Sequence, residues 1–292
     1  MGHQLWKAIV AALAALDKRP KPGRCKFSDE RIVQVYYWAV VHDRPNAWAC
    51  RPANWPAPLR GRPLPSPSRL SRRLSRRLRS KPVVGLLDAL ERRVVAPAEP
   101  GAFWAIDGKP LAIGGCSKDR QAGYGRAAGG MARGYKVHAI VGPGGVAAWR
   151  VAPMNMDERV MAERLIRSAG IQGYLVGDSN YDSNKLHAVC DRLRELQLVT
   201  RRRYGPGKGT GHRKQTAGRL RSMARVENPF PEFADRLLAD RATVERAFGN
   251  WVNWGGGRTG LPAWVRTHRR VRRWVQAKLV LTAVKRVTPV PT

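Results

Sequence analysis

The chain has 292 residues, of which 43% are hydrophobic; this is enough for a real core and excludes wholesale disorder. Its 54 Lys and Arg residues against 21 Asp and Glu give a formal net charge of +33 at pH 7, which suits a protein that binds DNA or, as ribosome-associated proteins do, RNA. The four cysteines are scattered without a C-x-x-C pair, which argues against zinc and disulfides and favours the cytoplasm, and no apolar run is long enough to span a membrane.

Residues 1–98 are predicted to form a helical region. The apolar stretch 6–16 predicts a helix, with the apolar part of a signal peptide as the weaker alternative. Ser28 is a suitable N-cap for a second helix, because acidic residues follow in its first turn. Six prolines in residues 51–67 predict an extended connector, and Pro and Gly residues in 97–101 predict a boundary between domains at 1–98 and 99–292.

A strongly basic helix is predicted at residues 69–78. Leu70, Leu74 and Leu78 repeat every four residues and form one apolar stripe on a helix otherwise covered by arginine. Such a helix is suited to docking on DNA, although a solvated basic helix is the simpler alternative. The arginines predicted to contact phosphates are Arg69, Arg72, Arg73, Arg76 and Arg77.

The pattern changes after residue 101 to that of a mixed α/β domain. Residues 103–107 are a short apolar run that ends in Asp107, and the glycine-rich stretch 123–134 is interpreted as a flexible loop. The later elements are predicted as strands at 135–141 and 146–151, a helix at 157–168, a strand at 174–177, a helix at 184–195 and a strand at 196–200. A basic loop at 201–231 then precedes helix to about residue 254, so the sequence predicts a mixed sheet flanked by helices.

Three carboxylates are candidates for chemistry. Asp107 and Asp178 each end an apolar strand, where an α/β sheet exposes reactive groups, and Glu245 lies on the helix that follows the basic loop. Oxygen ligands without His or Cys favour Mg²⁺ or Mn²⁺, and two such ions serve in-line attack on a phosphodiester. The alternatives are that the aspartates cap turns and that Glu245 only pairs with Arg241 four residues earlier. Other acids that compete for the site are Asp157, Asp182 and Asp240.

Five segments, in order, resemble motifs of the DDE transposases of bacterial insertion sequences. They are residues 103–108, 134–138, 152–158, 175–183 and 241–248. The resemblance implies an RNase H-like fold and metal-dependent DNA cleavage and strand transfer, with Asp107, Asp178 and Glu245 as metal ligands and Arg241 beside them. It also implies binding to terminal inverted repeats and target DNA, as a homodimer.

The sequence departs from one branch of this family. Leu238 stands where that branch has Tyr, and Val252 stands where it has a basic residue, so a hairpin-forming cleavage route is in doubt. The stretch between Asp178 and Glu245 is also too short for a large β-rich insertion.

Further basic residues are predicted to follow the DNA backbone rather than read bases. They are Lys136, Arg201, Arg202, Arg203, Arg269, Arg270, Arg272 and Arg273. Two other functions stay open, namely a catalytically inactive, transposase-derived DNA-binding protein and an RNA-binding protein. A nucleoid-associated location in the cytoplasm follows from the DNA-binding hypothesis.

Overall fold

The computed structural model describes residues 2–16, 26–75, 77–95, 102–114, 117–127, 129–142, 145–193, 195–203, 214–227, 231–239, 241–252 and 261–287. The helices are α1 Gly2–Ala14, α2 Asp29–Val41, α3 Asn46–Ala49, α4 Pro67–Ser75, α5 Arg77–Val94, α6 Glu158–Ala169, α7 Asn184–Arg192, α8 Ala217–Val226, α9 Pro231–Ala239, α10 Arg241–Val252 and α11 His268–Val287. The strands are β1 Phe103–Ala112, β2 Gly123–Ala127, β3 Gly130–Gly142, β4 Gly145–Pro153, β5 Gly173–Gly177 and β6 Leu196–Thr200. Within these ranges, no helix is both long and apolar enough to cross a membrane.

One of two compact units is helical, and it contains α1 to α5 together with residues 273–287 of α11. Ser28 caps α2 as predicted, since its side chain accepts a hydrogen bond from the backbone N–H of Arg31 at 3.2 Å. Leu70 and Leu74 of α4 face the core and are 0% and 1% exposed. The predicted apolar stripe is therefore confirmed for these two residues, while the side chain of Leu78 lies outside the described part of the chain.

The prediction of an extended connector at residues 51–67 is wrong. Short 3-10 turns at Pro52–Asn54 and Ala57–Leu59 fold this segment against the helices, and Trp55 between them is 2% exposed. The Trp55 ring stacks on that of Trp38 with centroids 4.8 Å apart, and its indole N–H donates to a backbone carbonyl at 2.8 Å. Proline prevents regular helix and sheet here, but the buried indole still fixes the segment.

The other unit contains a six-stranded mixed sheet. Strand β1 pairs antiparallel with β3 and parallel with β5, while β4 joins β3 antiparallel and β6 joins β5 parallel. With the short β2 set aside, the order is β4-β3-β1-β5-β6, in which an antiparallel meander is followed by two parallel strands reached through α6 and α7. This is the order of an RNase H-like sheet, and the predicted fold class is confirmed.

Helices cover both faces of this sheet. On one face, α6 and α7 pack over Trp104 and Leu175. On the other face, Leu237 of α9 packs with Val176 and Val199, and α8 lies against β6 beside it. Side chains alternate along a strand, so the residues two positions beyond Val176 and its β1 partner Ala105 project from this second face.

The prediction of a flexible loop at the glycine-rich stretch is also wrong. Strand β2 pairs antiparallel with the first residues of β3 and forms a hairpin. A Cβ atom at Gly134 would lie 2.3 Å from the carbonyl oxygen of Leu111, and one at Gly125 would lie 2.6 Å from that of Met154. These glycines therefore allow close approach of neighbouring backbone instead of flexibility.

Helix α11 begins on the sheet unit. Asp119 holds this start, because its Oδ2 accepts hydrogen bonds from the backbone N–H of Thr267 at 2.6 Å and from the hydroxyl of Tyr135 at 2.8 Å. Residues 268–272 group with the sheet unit and residues 273–287 with the helical unit, where Trp274 is buried. The predicted division between residues 98 and 99 stays a prediction.

Candidate active site at the ends of two parallel strands

The register of β1 and β5 brings Asp107 and Asp178 side by side. Ala105 pairs with Val176, the last residue pair of β1 and β5, and each aspartate stands two residues further along the chain. Asp178 follows the end of β5 as predicted, whereas the prediction that Asp107 ends its strand is wrong, because β1 continues to Ala112 in its pairing with β3. Neighbouring strands lie about 4.8 Å apart, and residues two apart project from the same face. Both carboxylates therefore leave the same face of the sheet at the same edge.

Local hydrogen bonds orient each aspartate. Asp107 is half-buried, and its Oδ1 accepts from the backbone N–H of Gly108 at 2.7 Å. Asp178 caps the 3-10 turn Ser179–Tyr181, with Oδ1 accepting from the backbone N–H of Asn180 at 2.9 Å and Oδ2 accepting from its side-chain amide at 3.1 Å. The capping role considered from the sequence is thus present, and a carboxylate with about four acceptor positions retains capacity for a metal ion beside it.

A buried tyrosine reports the proximity of three carboxylates. Tyr181 is 1% exposed, and its hydroxyl has no hydrogen-bond partner among the described residues. Burial, followed by the charges of Glu158, Asp107 and Asp178, raises the pKa of Tyr181 well above its ordinary value. Glu158 lies in the first turn of α6. In the sequence it belongs to the motif at residues 152–158, and no local pattern predicts a role for it.

Lys136 and His138 on β3 complete this environment. Lys136 forms an ion pair with Glu158 and is 9% exposed, so its charge is balanced within the protein instead of facing solvent. His138 is 1% exposed, and burial followed by the charge of Lys136 lowers the pKa of His138 to about 4. The imidazole is therefore neutral at pH 7. Lys136 and His138 have the strand parity opposite to that of Ala139, the partner of Asp107, so they project from the other face of the sheet.

Glu245 is placed on α10, where Val244, Ala247 and Phe248 are buried and Glu245 itself is exposed. Arg241 begins the same helix, and its side chain lies outside the described residues. Among the side chains that are described, no three His, Cys, Asp or Glu residues form a group that could hold a metal ion. The structure thus brings Asp107 and Asp178 together but does not show Glu245 joining them.

The competing acids have other partners. Both oxygens of Asp182 accept hydrogen bonds from the Arg219 guanidinium at 2.7 Å, and one also accepts from the backbone N–H of Arg203 at 3.1 Å. Burial alone raises the pKa of Asp182, but hydrogen bonds from Arg219 and His187 outweigh it and hold that pKa well below the usual range. Asp157 caps α6 by accepting from a backbone N–H at 2.8 Å, and Asp240 lies outside the described residues.

The basic residues predicted to contact DNA fall into three groups. Exposed ones are Arg69, Arg72, Arg201, Arg203, Arg269, Arg270 and Arg272. Those already paired or buried are Arg73 with Asp29, Lys136 with Glu158, Arg202 with Glu227, and Arg273 at 8% exposure. The side chains of Arg76 and Arg77 lie outside the described residues.

Comparison with known proteins places the site in context. The family described as "Transposase DDE domain" matches residues 100–277. Among solved structures, a chain of the "Cryo-EM structure of piggyBac transposase synaptic complex with hairpin DNA" is similar, with a TM-score of 0.47 and 11% identity over 96% of this chain and 71% of that chain. No curated protein matches.

Proposed function

Because the chain belongs to the transposase DDE domain family, we propose that it is an active DNA transposase that cleaves the ends of an insertion sequence and joins them to target DNA. The observation that carries this proposal is the position of Asp107 and Asp178, each two residues beyond the paired residues Ala105 and Val176 of adjacent parallel strands and on one face of the sheet. Two carboxylates in this position face outward from a rigid scaffold, as phosphodiester chemistry requires.

The oxygen-only donor set fits a hard divalent cation, Mg²⁺ or Mn²⁺. Asp107, Asp178 and Glu245 would hold these ions. When bound, these ions supply activation of a water or 3′-hydroxyl and charge stabilisation at the leaving oxygen. The cap bonds from Gly108 and Asn180 hold the two aspartates in place for this role.

Helix α10 would supply the third ligand. We expect Glu245 to approach the aspartates when DNA and metal bind, with Arg241 near it or near a phosphate. Lys136 compensates the negative charge of Glu158 through their ion pair. DNA partner, inverted-repeat recognition, dimerisation on DNA and action at the nucleoid belong to the same proposal.

The experiment uses purified protein and a labelled duplex carrying the DNA that flanks the coding sequence. Asp107→Asn, Asp178→Asn and Glu245→Gln should each lower Mg²⁺-dependent cleavage by roughly a hundred-fold or more, because each removes a metal ligand worth several kcal/mol in the transition state. Asp157→Asn is the matched control, since it makes the same change at an acid that only caps α6. Cleavage near the wild-type rate would remove that residue from the site. DNA binding by the wild type without any product would instead identify an inactive, transposase-derived DNA-binding protein.

A further inference from the structure

The hairpin formed by β2 and the start of β3 has two faces of opposite character. Tyr124 pairs with Arg133 and Arg126 pairs with Met131, so these four large side chains share one face. The other face consists only of small residues, namely Gly123, Gly125, Ala127, Gly130, Ala132 and Gly134. The hairpin therefore has one face that can pack closely and one face that carries aromatic, apolar and cationic side chains.

The part of the small face away from the hairpin tip packs against residues 154 and 155. A Cβ atom at Gly123 would lie 2.0 Å from the side-chain oxygen of Asn155, and one at Gly125 would lie 2.6 Å from the carbonyl oxygen of Met154. The hairpin cannot turn over without losing this contact. Its large side chains are therefore held outward.

The outward face is apolar and cationic at once. Tyr124 and Met131 are 65% and 71% exposed, more than any other large hydrophobic side chain that the structure describes. Arg126 is exposed, and the Arg133 guanidinium lies 5.9 Å from the centroid of the Tyr124 ring while donating to the carbonyl of Ala122 at 3.2 Å. No acid is among the side chains of this face, which gives it charge complementarity to a polyanion.

The hairpin's outward side chains and Asp107 project from the same side of the sheet, with the buried Tyr135 and Val137 between them. Asp107 pairs with Ala139, and Arg133 and Met131 have the same strand parity as Ala139, so they project from the same side of the sheet as Asp107. At about 3.3 Å per residue, Arg133 lies roughly 20 Å and Met131 roughly 26 Å along β3 from the level of Asp107. A duplex whose phosphate sat at Asp107 would extend over this distance.

We propose that the β2–β3 hairpin binds the duplex DNA beside the cleaved bond, with Arg126 and Arg133 on phosphates and Tyr124 and Met131 against sugars and base edges in a groove. A two-stranded β-ribbon fits the major groove, and apolar side chains there contact thymine methyl groups. This inference rests on the proposed function, because it supplies part of the DNA-binding surface of that enzyme.

Binding is measured with full-length protein carrying Asp107→Asn, without divalent metal, so that the result does not depend on cleavage. The probes are a fluorescein-labelled duplex from the DNA flanking the coding sequence and a random duplex of equal length. Arg126→Ala should lower the slope of log affinity against log salt by about 0.9. The double variant Tyr124→Ala with Met131→Ala should weaken binding about ten-fold at unchanged slope, by the loss of contacts with the bases and sugars.

Arg192→Ala is the matched control, because Arg192 is an exposed arginine on α7, which covers the opposite face of the sheet. It should leave both quantities unchanged. Wild-type affinity and slope in both hairpin variants, while Arg69→Ala with Arg72→Ala weakens binding, would overturn the hairpin assignment and leave the transposase proposal standing. A lower oligomeric mass in the hairpin variants at wild-type DNA affinity would overturn it in favour of an interface between copies. No binding of either duplex by the parent protein would refute the proposed function itself.

Discussion

Asp182 and Asp178 are four residues apart, and their different surroundings give them different structural roles. Asp178 caps an open turn at the strand end, whereas Asp182 is buried and held by the Arg219 guanidinium. This pair also ties the backbone of Arg203, where the basic loop begins, to the same turn. Asp182 is therefore a structural anchor next to the site.

The Asp182 anchor gives a pH-dependent stability. Asp182→Asn should lower the free energy of unfolding by about 3 kcal/mol at pH 7, because it leaves the buried Arg219 charge without its counter-ion. The pKa of Asp182 is lower in the folded protein than in the unfolded chain, where it is about 3.9. The wild-type advantage should thus be complete above about pH 5 and shrink as the pH falls below about 4. Urea unfolding across this range measures it, with Glu195→Gln at an exposed acid as the control that should change little. An advantage that stays constant down to pH 3 would contradict the assignment.

The Tyr181 hydroxyl is predicted to have no part in the reaction. Tyr181→Phe removes a buried group without a partner among the described residues, so the free energy of unfolding should stay level or rise by about 1 kcal/mol, with cleavage close to wild type. The matched variant Tyr135→Phe removes a hydroxyl that donates to Asp119 and should lose about 2 kcal/mol. Chemical denaturation and the cleavage assay test both. A large loss of cleavage in stable Tyr181→Phe would make this hydroxyl a participant.

Among the strands and helices, the glycine hairpin provides the sharpest test of packing. Gly134→Ala should destabilise the protein by about 1–3 kcal/mol, because its Cβ would meet the backbone of Leu111, which cannot rotate away. Gly114→Ala, at an exposed position with nothing within 4 Å, is the control and should be close to neutral. Thermal unfolding compares the two. Equal midpoints would mean that the hairpin is packed less closely than described.

The elements that the sequence predicts well are those with a local pattern. Alternation and apolar runs locate the start of β1 and all of β4, β5 and β6, and the runs in β1 and β5 lead to the aspartates of the candidate site. The sequence does not predict strand β2, because glycine-rich segments usually indicate a loop. Only the structure shows that neighbouring carbonyl oxygens leave no room for a Cβ atom at these positions. The partners of Asp182 and Lys136 are missed for a different reason. They lie 37 and 22 residues away along the chain, and no periodicity reaches that far.

The exposed arginines and the paired ones should behave differently across the basic surface. Arg69→Ala with Arg72→Ala, both exposed on α4, should lower the slope of log DNA affinity against log salt by up to about 1.8 and leave the unfolding midpoint unchanged. Arg73→Ala should instead lower the midpoint, since it leaves the buried Asp29 carboxylate without its ion pair. Salt titrations of binding and thermal unfolding separate these effects. A slope change in Arg73→Ala at normal stability would return that residue to the DNA-contacting set.

The hydrophobic core of the helical unit cannot be completed during translation until helix α11 has been synthesised. Ala277, Val280, Leu281 and Val284 belong to the same core as α1, α2, α4 and α5. A ribosome makes the first 95 residues early, but their core lacks this helix until the entire sheet has been translated. Nascent chains stopped after the sheet should therefore expose the tryptophans of the early helices to chaperones and proteases. An interrupted message therefore produces no complete helical core.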